Sequence, residues 1–199
     1  MKTELQELNE LKLTTRQKIR TLLVKTGREG MGDLLNYMEE IGFFVMPAST
    51  QYHGAYEGAL AEHSLNVLDI AEKWGVAAYG GKDYNTIHNS VVVCALLHDV
   101  GKCGQFGKPG YIPNILTNGE PSDKKPFEVN KSLLNVPHEV RSIDIISRFI
   151  DLTEDEQFAI LMHNGLYGPF YKELKSDDAS PLYMLIHFAD MWASRVIEK

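Results

Sequence analysis

Leu, Ile and Val recur three and four positions apart through nearly the whole chain, the spacing that gathers them on one face of a helix. A run of alternating apolar and polar residues bounded by hairpin turns is hard to find, so the pattern predicts an all-α fold. Residues 14–26 (TTRQKIRTLLVKT) read as an amphipathic helix ended by Gly27, and residues 33–41 (DLLNYMEEI) as a second ended by Gly42. Residues 43–58 mix aromatics with Pro, Gly and small polar residues and read as an ordered loop. A third helix is predicted from Leu60 to Trp74. A fourth runs from Thr86 to Val100, nearly all apolar through VVVCALL and therefore buried, with Gly101 breaking it. Repeated Gly and Pro between Lys102 and Pro137 leave no clear period, which suggests a substrate-facing insertion. Pro137 starts a fifth helix (HEVRSIDIISRFI), and Thr153 with Glu156 forms a capping box that starts a sixth (EDEQFAILMH), stopped by Gly165. Ser180 and Pro181 start the last. No internal repeat or linker divides the chain, so residues 1–57 are expected to pack as helices and loop on the same domain whose core is residues 58–199.

With 199 residues, 44% of them hydrophobic and 24% charged, the chain has the balance of one globular domain. No uncharged apolar run approaches the roughly 18 residues that span a bilayer. The first residues, MKTELQELNELK, carry charges where a signal peptide needs an apolar stretch, so a cytoplasmic protein without membrane contact is expected. The two cysteines, Cys94 and Cys103, are too few for a disulfide scaffold, and Cys94 lies in an apolar run that reads as core. A net charge of −7 repels polyanions, which makes long nucleic acid a poor partner unless a local patch or bound metal reverses the field.

Of seven histidines, His63, His98, His163 and His187 fall inside apolar helical segments, and His138 opens another. His63 shares its helix face with Leu60, Val67 and Ile70, and His98 with Val91 and Cys94. Any one of them is accounted for by a core imidazole bonded to a carbonyl. Several together beside carboxylates suggest a metal. Asp99 follows His98 at the end of a buried helix, and Asp190 sits one turn from His187 in the apolar segment MLIHFADMWASRV. A desolvated carboxylate needs a cation, and a divalent ion that also takes neutral imidazole is an effective one. For Asp190 the alternative is a salt bridge to Arg195 or Arg141.

EHSLNV around His63, LLHDVGK around His98 and Asp99, and HFADMWA around Asp190 resemble the metal-dependent HD-domain phosphohydrolase superfamily over about residues 58–195. The resemblance implies an all-helical bundle and assigns His63, His98, Asp99 and Asp190 as ligands of one metal. His138 in VPHEVRS and His163 in ILMHNG stand where the binuclear branches of that family place further ligands. The implied order is then H…HD…H…H…D, with two ions about 3.5–4 Å apart and Asp99 as the bridge. The segment GAYEGALAEHSLNV with HNG also resembles the HD domain of a bacterial 3′-to-5′ exoribonuclease, although no OB-type nucleic-acid module is recognisable here.

Four imidazoles and two carboxylates suit Mn, Fe, Co, Ni or Zn, whereas a site for Mg alone is expected to be richer in oxygen. Two such ions leave net positive charge to draw in phosphate, and lower the pKa of a shared water to about 7, which implies phosphoester hydrolysis by hydroxide. Lys102, three residues past Asp99, is expected to meet the developing charge as a catalytic group and, with Arg141, to bind phosphate. Each is also explained by solvent or by a carboxylate partner. His53 and Tyr52, in QYHGAYEG, are candidates to roof the site or contact a base. His187 is a candidate to orient Asp190 or touch substrate, with a plain core role equally open to it, and Asn164 and Tyr167 are further substrate candidates. The expected substrate is a small phosphorylated molecule, a nucleotide or short oligonucleotide end. Two other readings fit the same ligands: a di-iron oxygenase of the same superfamily, and a non-catalytic nucleotide-binding domain. A homodimer through the first two helices is also compatible with the pattern.

Overall fold

The computed structural model describes residues 4–175 and 179–198, with side chains from Leu13 onward. The helices among them are α1 (Glu4–Lys25), α2 (Met31–Glu40), α3 (Ala59–Leu97), α4 (His138–Ser147), α5 (Glu154–Met162) and α6 (Pro181–Trp192). The first begins well before Thr14, because the Glu, Leu, Gln and Lys of residues 4–12 are strong helix formers even where the apolar face is weak. None of the described helices is long and apolar enough to cross a membrane.

The two helices predicted at residues 60–74 and 86–100 are the arms of α3. Helix continues past Trp74 to Gly80, whose φ of 72° and ψ of 154° break it, and resumes at once. The arms fold back on each other: His88 Nε2 lies 3.0 Å from Glu72 Oε1, and a Cβ on Gly75 would meet the Tyr84 ring at 2.3 Å. Glycine at 80 supplies the left-handed backbone and glycine at 75 the room for the ring. His63 and His98 are nearly equidistant from Gly80 along the chain, so the same reversal that joins residues 72 and 88 sets them side by side.

The second arm is buried almost throughout, as VVVCALL requires, and Cys94 and Cys103 are both buried. Around it close Ile145 and Ile146 of α4, Ala159 and Ile160 of α5, and Leu182, Ile186 and Ala189 of α6. Ile19, Leu23, Leu34, Leu35 and Met38 of α1 and α2 join the same apolar cluster. Helix α6 packs on both α3 and α5.

The insertion holds short strands that the pattern did not reveal. Strands β1 (Gly104–Gln105) and β2 (Lys108–Pro109) pair antiparallel, as do β3 (Tyr111–Pro113) and β4 (Phe127–Val129). Two or three residues are too few to display a period of two. The 3₁₀ turn Val100–Cys103 links α3 to this insertion and lies on α4.

Candidate metal centre

Six side chains reach one buried region from five places in the fold. His63 comes from the second turn of α3, His98 caps its far end, and Asp99 follows directly. His138 opens α4, His163 caps the C-terminus of α5, and Asp190 projects from α6. His63, His98, Asp99 and His163 are buried. Asp190 Oδ1 lies 3.1 Å from His63 Nε2 and 3.9 Å from His98 Nε2. Asp99 reaches both sides: Oδ2 is 3.4 Å from His98 Nε2 and 3.7 Å from His63 Nε2, and Oδ1 is 3.1 Å from His138 Nε2 and 3.5 Å from His163 Nε2. Within this region, His63, His98 and Asp190 bring three ligand atoms within 4.8 Å of one another, as do His98, Asp99 and His163.

The outer ring nitrogens explain why the inner ones converge. His98 Nδ1 faces the Ala95 carbonyl at 3.0 Å and His163 Nδ1 the Ile160 carbonyl at 2.8 Å. A carbonyl only accepts, so each Nδ1 carries a hydrogen, and Nε2 is the nitrogen left to face inward. His63 is held by a carboxylate instead: both oxygens of Glu198 lie 3.0 Å from its Nδ1. His138 Nδ1 is 3.4 Å from Glu139 Oε2. The inner atoms His63 Nε2, His98 Nε2 and Asp99 Oδ1 are buried without a hydrogen-bond partner. Short contacts off the hydrogen-bond direction leave these groups desolvated and unsatisfied. A cation resolves that, and imidazole nitrogens with carboxylate oxygens are the donor set for a divalent transition metal.

Electrostatics agree. Burial alone would raise the Asp99 carboxyl, but Lys102 and the surrounding imidazoles outweigh it and hold the group well below the usual carboxylate range. Asp190 is likewise held down against burial, chiefly by His63.

A model of the HD domain matches residues 60–191. The chain belongs to the HD-domain family. Proteins of that family are in general metal-dependent hydrolases with an all-helical domain, and the fold described above is of that kind. No curated protein and no solved structure matches the chain significantly.

In this HD domain the two arginines weighed as partners of Asp190 are engaged elsewhere. Arg195 lies over the Tyr167 ring, 4.2 Å from its centroid, and Arg141 bonds to Gln105 and the Leu134 carbonyl. Lys102 does have a carboxylate partner, Asp99 Oδ2 at 2.5 Å. Two cavities meet at Lys102. The smaller, about 390 Å³, is lined by Tyr52, His53, Asn164 and Arg195 together with Asp99, His163 and Asp190. The larger, about 510 Å³, is lined by His138, Arg141 and the insertion. Arg141 thus stands in the second cavity, and the cations sharing the first with the metal ligands are Lys102 and Arg195.

His53 is at the roof of the smaller cavity, its ring centroid 5.7 Å from that of His63. Burial, His63 and Lys102 lower its pKa. Asn164 does more than line the wall. Its Nδ2 lies 2.9 Å from Glu139 Oε1, 2.9 Å from His163 Nε2 and 3.4 Å from His138 Nε2, so ligation by His163 requires this amide to turn aside. Of the readings open to His187, its surroundings favour the core role. Its Nδ1 lies 2.6 Å from the His163 carbonyl and its ring fills the space over Gly165, where a Cβ would meet it at 2.5 Å. It lines neither cavity and braces the end of α5.

Glu139, Arg195 and Glu198 were not singled out as site groups by the sequence. Arg195 lies in the π-helical turn Ala193–Ile197 that follows α6, and Glu198 caps that turn, its N–H donating to the Ala193 carbonyl at 3.0 Å. Such wide turns recur at functional sites. For Glu139, adjacency to His138 was the available signal.

Proposed function

We propose that the protein is a phosphohydrolase that cleaves a phosphomonoester or phosphodiester bond in a nucleotide or short nucleic-acid end, using two divalent ions drawn from Mn, Fe, Co, Ni and Zn. The observation that carries this reading is the shared cavity: Asp99, His163 and Asp190 face the same space as Lys102 and Arg195. Metal ligands next to two cations suit a phosphoryl group, whose transferring oxygens gather negative charge. His63, His98 and Asp190, with Asp99, would hold one ion; Asp99, His138 and His163 would hold the other. A divalent metal there supplies Lewis-acid stabilisation and acidifies water at neutral pH.

The remaining roles belong to the protein. Lys102 sits against Asp99 Oδ2, where its ammonium fixes that carboxylate and meets an oxygen of the incoming phosphate. Arg195, held over the Tyr167 ring, offers a planar fork to the same group. His53, with its lowered pKa, is a neutral hydrogen-bonding roof at pH 7.

The test is metal content by elemental analysis beside hydrolysis of p-nitrophenyl phosphate and its bis-ester under anaerobic conditions with Mn²⁺. The expected result is about two ions per chain, fewer in Asp99→Ala and His138→Ala, and turnover without O₂. Substrate-dependent O₂ uptake in place of hydrolysis overturns the reading in favour of an oxygenase, and ligand binding with no turnover overturns it in favour of a binding domain.

A further inference from the structure

The larger cavity, beyond Lys102, differs in chemistry from the rest of the protein. Lys102, Lys131 and Arg141 line it with no carboxylate among them, in a chain whose net charge is −7. Lys102 is committed to Asp99, whereas Arg141 forms no ion pair among the described residues. Its side chain is buried, with the residue 4% exposed. Nη1 donates to Gln105 Oε1 at 3.0 Å and Nη2 to the Leu134 carbonyl at 3.1 Å, both neutral acceptors, and no ion pair engages it among the described residues. A guanidinium has five N–H donors, so two bonds leave others free, and a buried cation without an anion is costly. The same space has an apolar lining as well: Tyr111, Leu133 and Val136 contribute to it, and Leu134, another lining residue, is 85% exposed. With Val129 and Val136 also exposed in this lining, the apolar surface is a group of side chains rather than one, as at binding grooves.

We propose that this cavity is a second anion subsite, which holds a non-scissile phosphate carried on a nucleoside: Arg141 and Lys131 receive the phosphate and the apolar wall receives the nucleoside. It rests on the phosphoester reading for the class of anion, while its binding test needs no turnover. The substrate then carries phosphate at two places, one at the metal ligands and one beyond Lys102.

Calorimetry on the full chain after metal chelation, which keeps the probe intact, compares adenosine 5′-monophosphate, adenosine and inorganic phosphate. The monophosphate is expected to bind about tenfold or more tighter than either fragment, and Arg141→Gln to lose about tenfold or more, the size of a hydrogen-bonded charge contact. Lys131→Glu, an exposed change on the rim that leaves the core intact, is expected to lose several-fold and decides the matter if the Arg141 variant misfolds. Monophosphate affinity unchanged in folded variants, or no preference over adenosine, overturns the subsite. Turnover of p-nitrophenyl phosphate with unchanged binding in the variants sinks the subsite alone; monophosphate binding that depends on Arg141 without any turnover sinks the hydrolase reading alone.

Discussion

His63 is gripped from both sides, by Glu198 on Nδ1 and by Asp190 near Nε2, and Glu198 is itself fixed by Asn66 Nδ2 at 2.9 Å. A carboxylate behind a ligating imidazole orients the ring and raises its basicity, and losing one typically costs about 10–100-fold in metal affinity. Glu198→Ala is expected to fall in that range by chelator competition, and Glu198→Gln, which keeps an accepting oxygen, to fall less. The visible spectrum of the Co²⁺-loaded protein should shift in both. Burial pulls the His63 pKa down, but the carboxylates of Asp190 and Glu198 on either side of the ring more than offset it, raising the value to about 10. The sign follows: without metal the ring is protonated at pH 7, its stabilising charge is complete below about 6.5 and lost as pH rises through about 10. Metal binding therefore has to expel that proton. Affinity is expected to rise with pH across this window, and calorimetry in buffers of different ionisation enthalpy should count the proton released. His63, His98, Asp99 and Asp190 were legible in the sequence as candidates because several imidazoles in apolar helices, beside carboxylates and within HD-type motifs, are harder to explain together than singly. Glu198 and Arg195 were not: both lie in an ordinary charged tail, SRVIEK, and only the turn after α6 aims them inward.

Gly101 shows how closely the elements are fitted around these groups. A Cβ there would lie 2.1 Å from the His138 carbonyl and 2.7 Å from Ser142 N, so the turn carrying Lys102 can meet α4 only as glycine. Gly101→Ala is expected to force the two apart, lower the melting temperature and cut metal content, because Asp99 and His138 sit on opposite sides of that contact. Thr153 caps α5 in a reciprocal box with Glu156, and Thr153→Ala is expected to cost about 1 kcal/mol in urea unfolding. Glu156 also takes Arg28 from the α1–α2 connection, so Glu156→Ala should cost more than the cap alone. The capping box was readable because its two residues are neighbours on one helix. The union of the α3 arms at Gly80 and the ladders of the insertion were not, since the first depends on contacts across a reversal and the second on backbone pairing that leaves no hydrophobic signature in two or three residues.

At the scale of the molecule, the Arg28–Glu156 pair and the shared apolar cluster bind α1 and α2 to the helices that carry the site. A ligand that binds only the folded state stabilises it by mass action, about 4 kcal/mol when its free concentration is a thousand times Kd. For a chain of this length that corresponds to roughly 10 °C, so chelation is expected to lower the melting temperature by about that amount, read by differential scanning calorimetry with and without added metal. The convergence of His63 and Asp190 at 3.1 Å has a consequence for how the protein is assembled. These two contributors enter a growing chain at nearly opposite ends of the HD domain, and no single helix or hairpin carries more than a fraction of the set. Until α6 has been synthesised and has docked, the nascent chain offers any ion only scattered weak donors. Metal acquisition is then a late, all-at-once event, so that a loaded molecule is also a finished one.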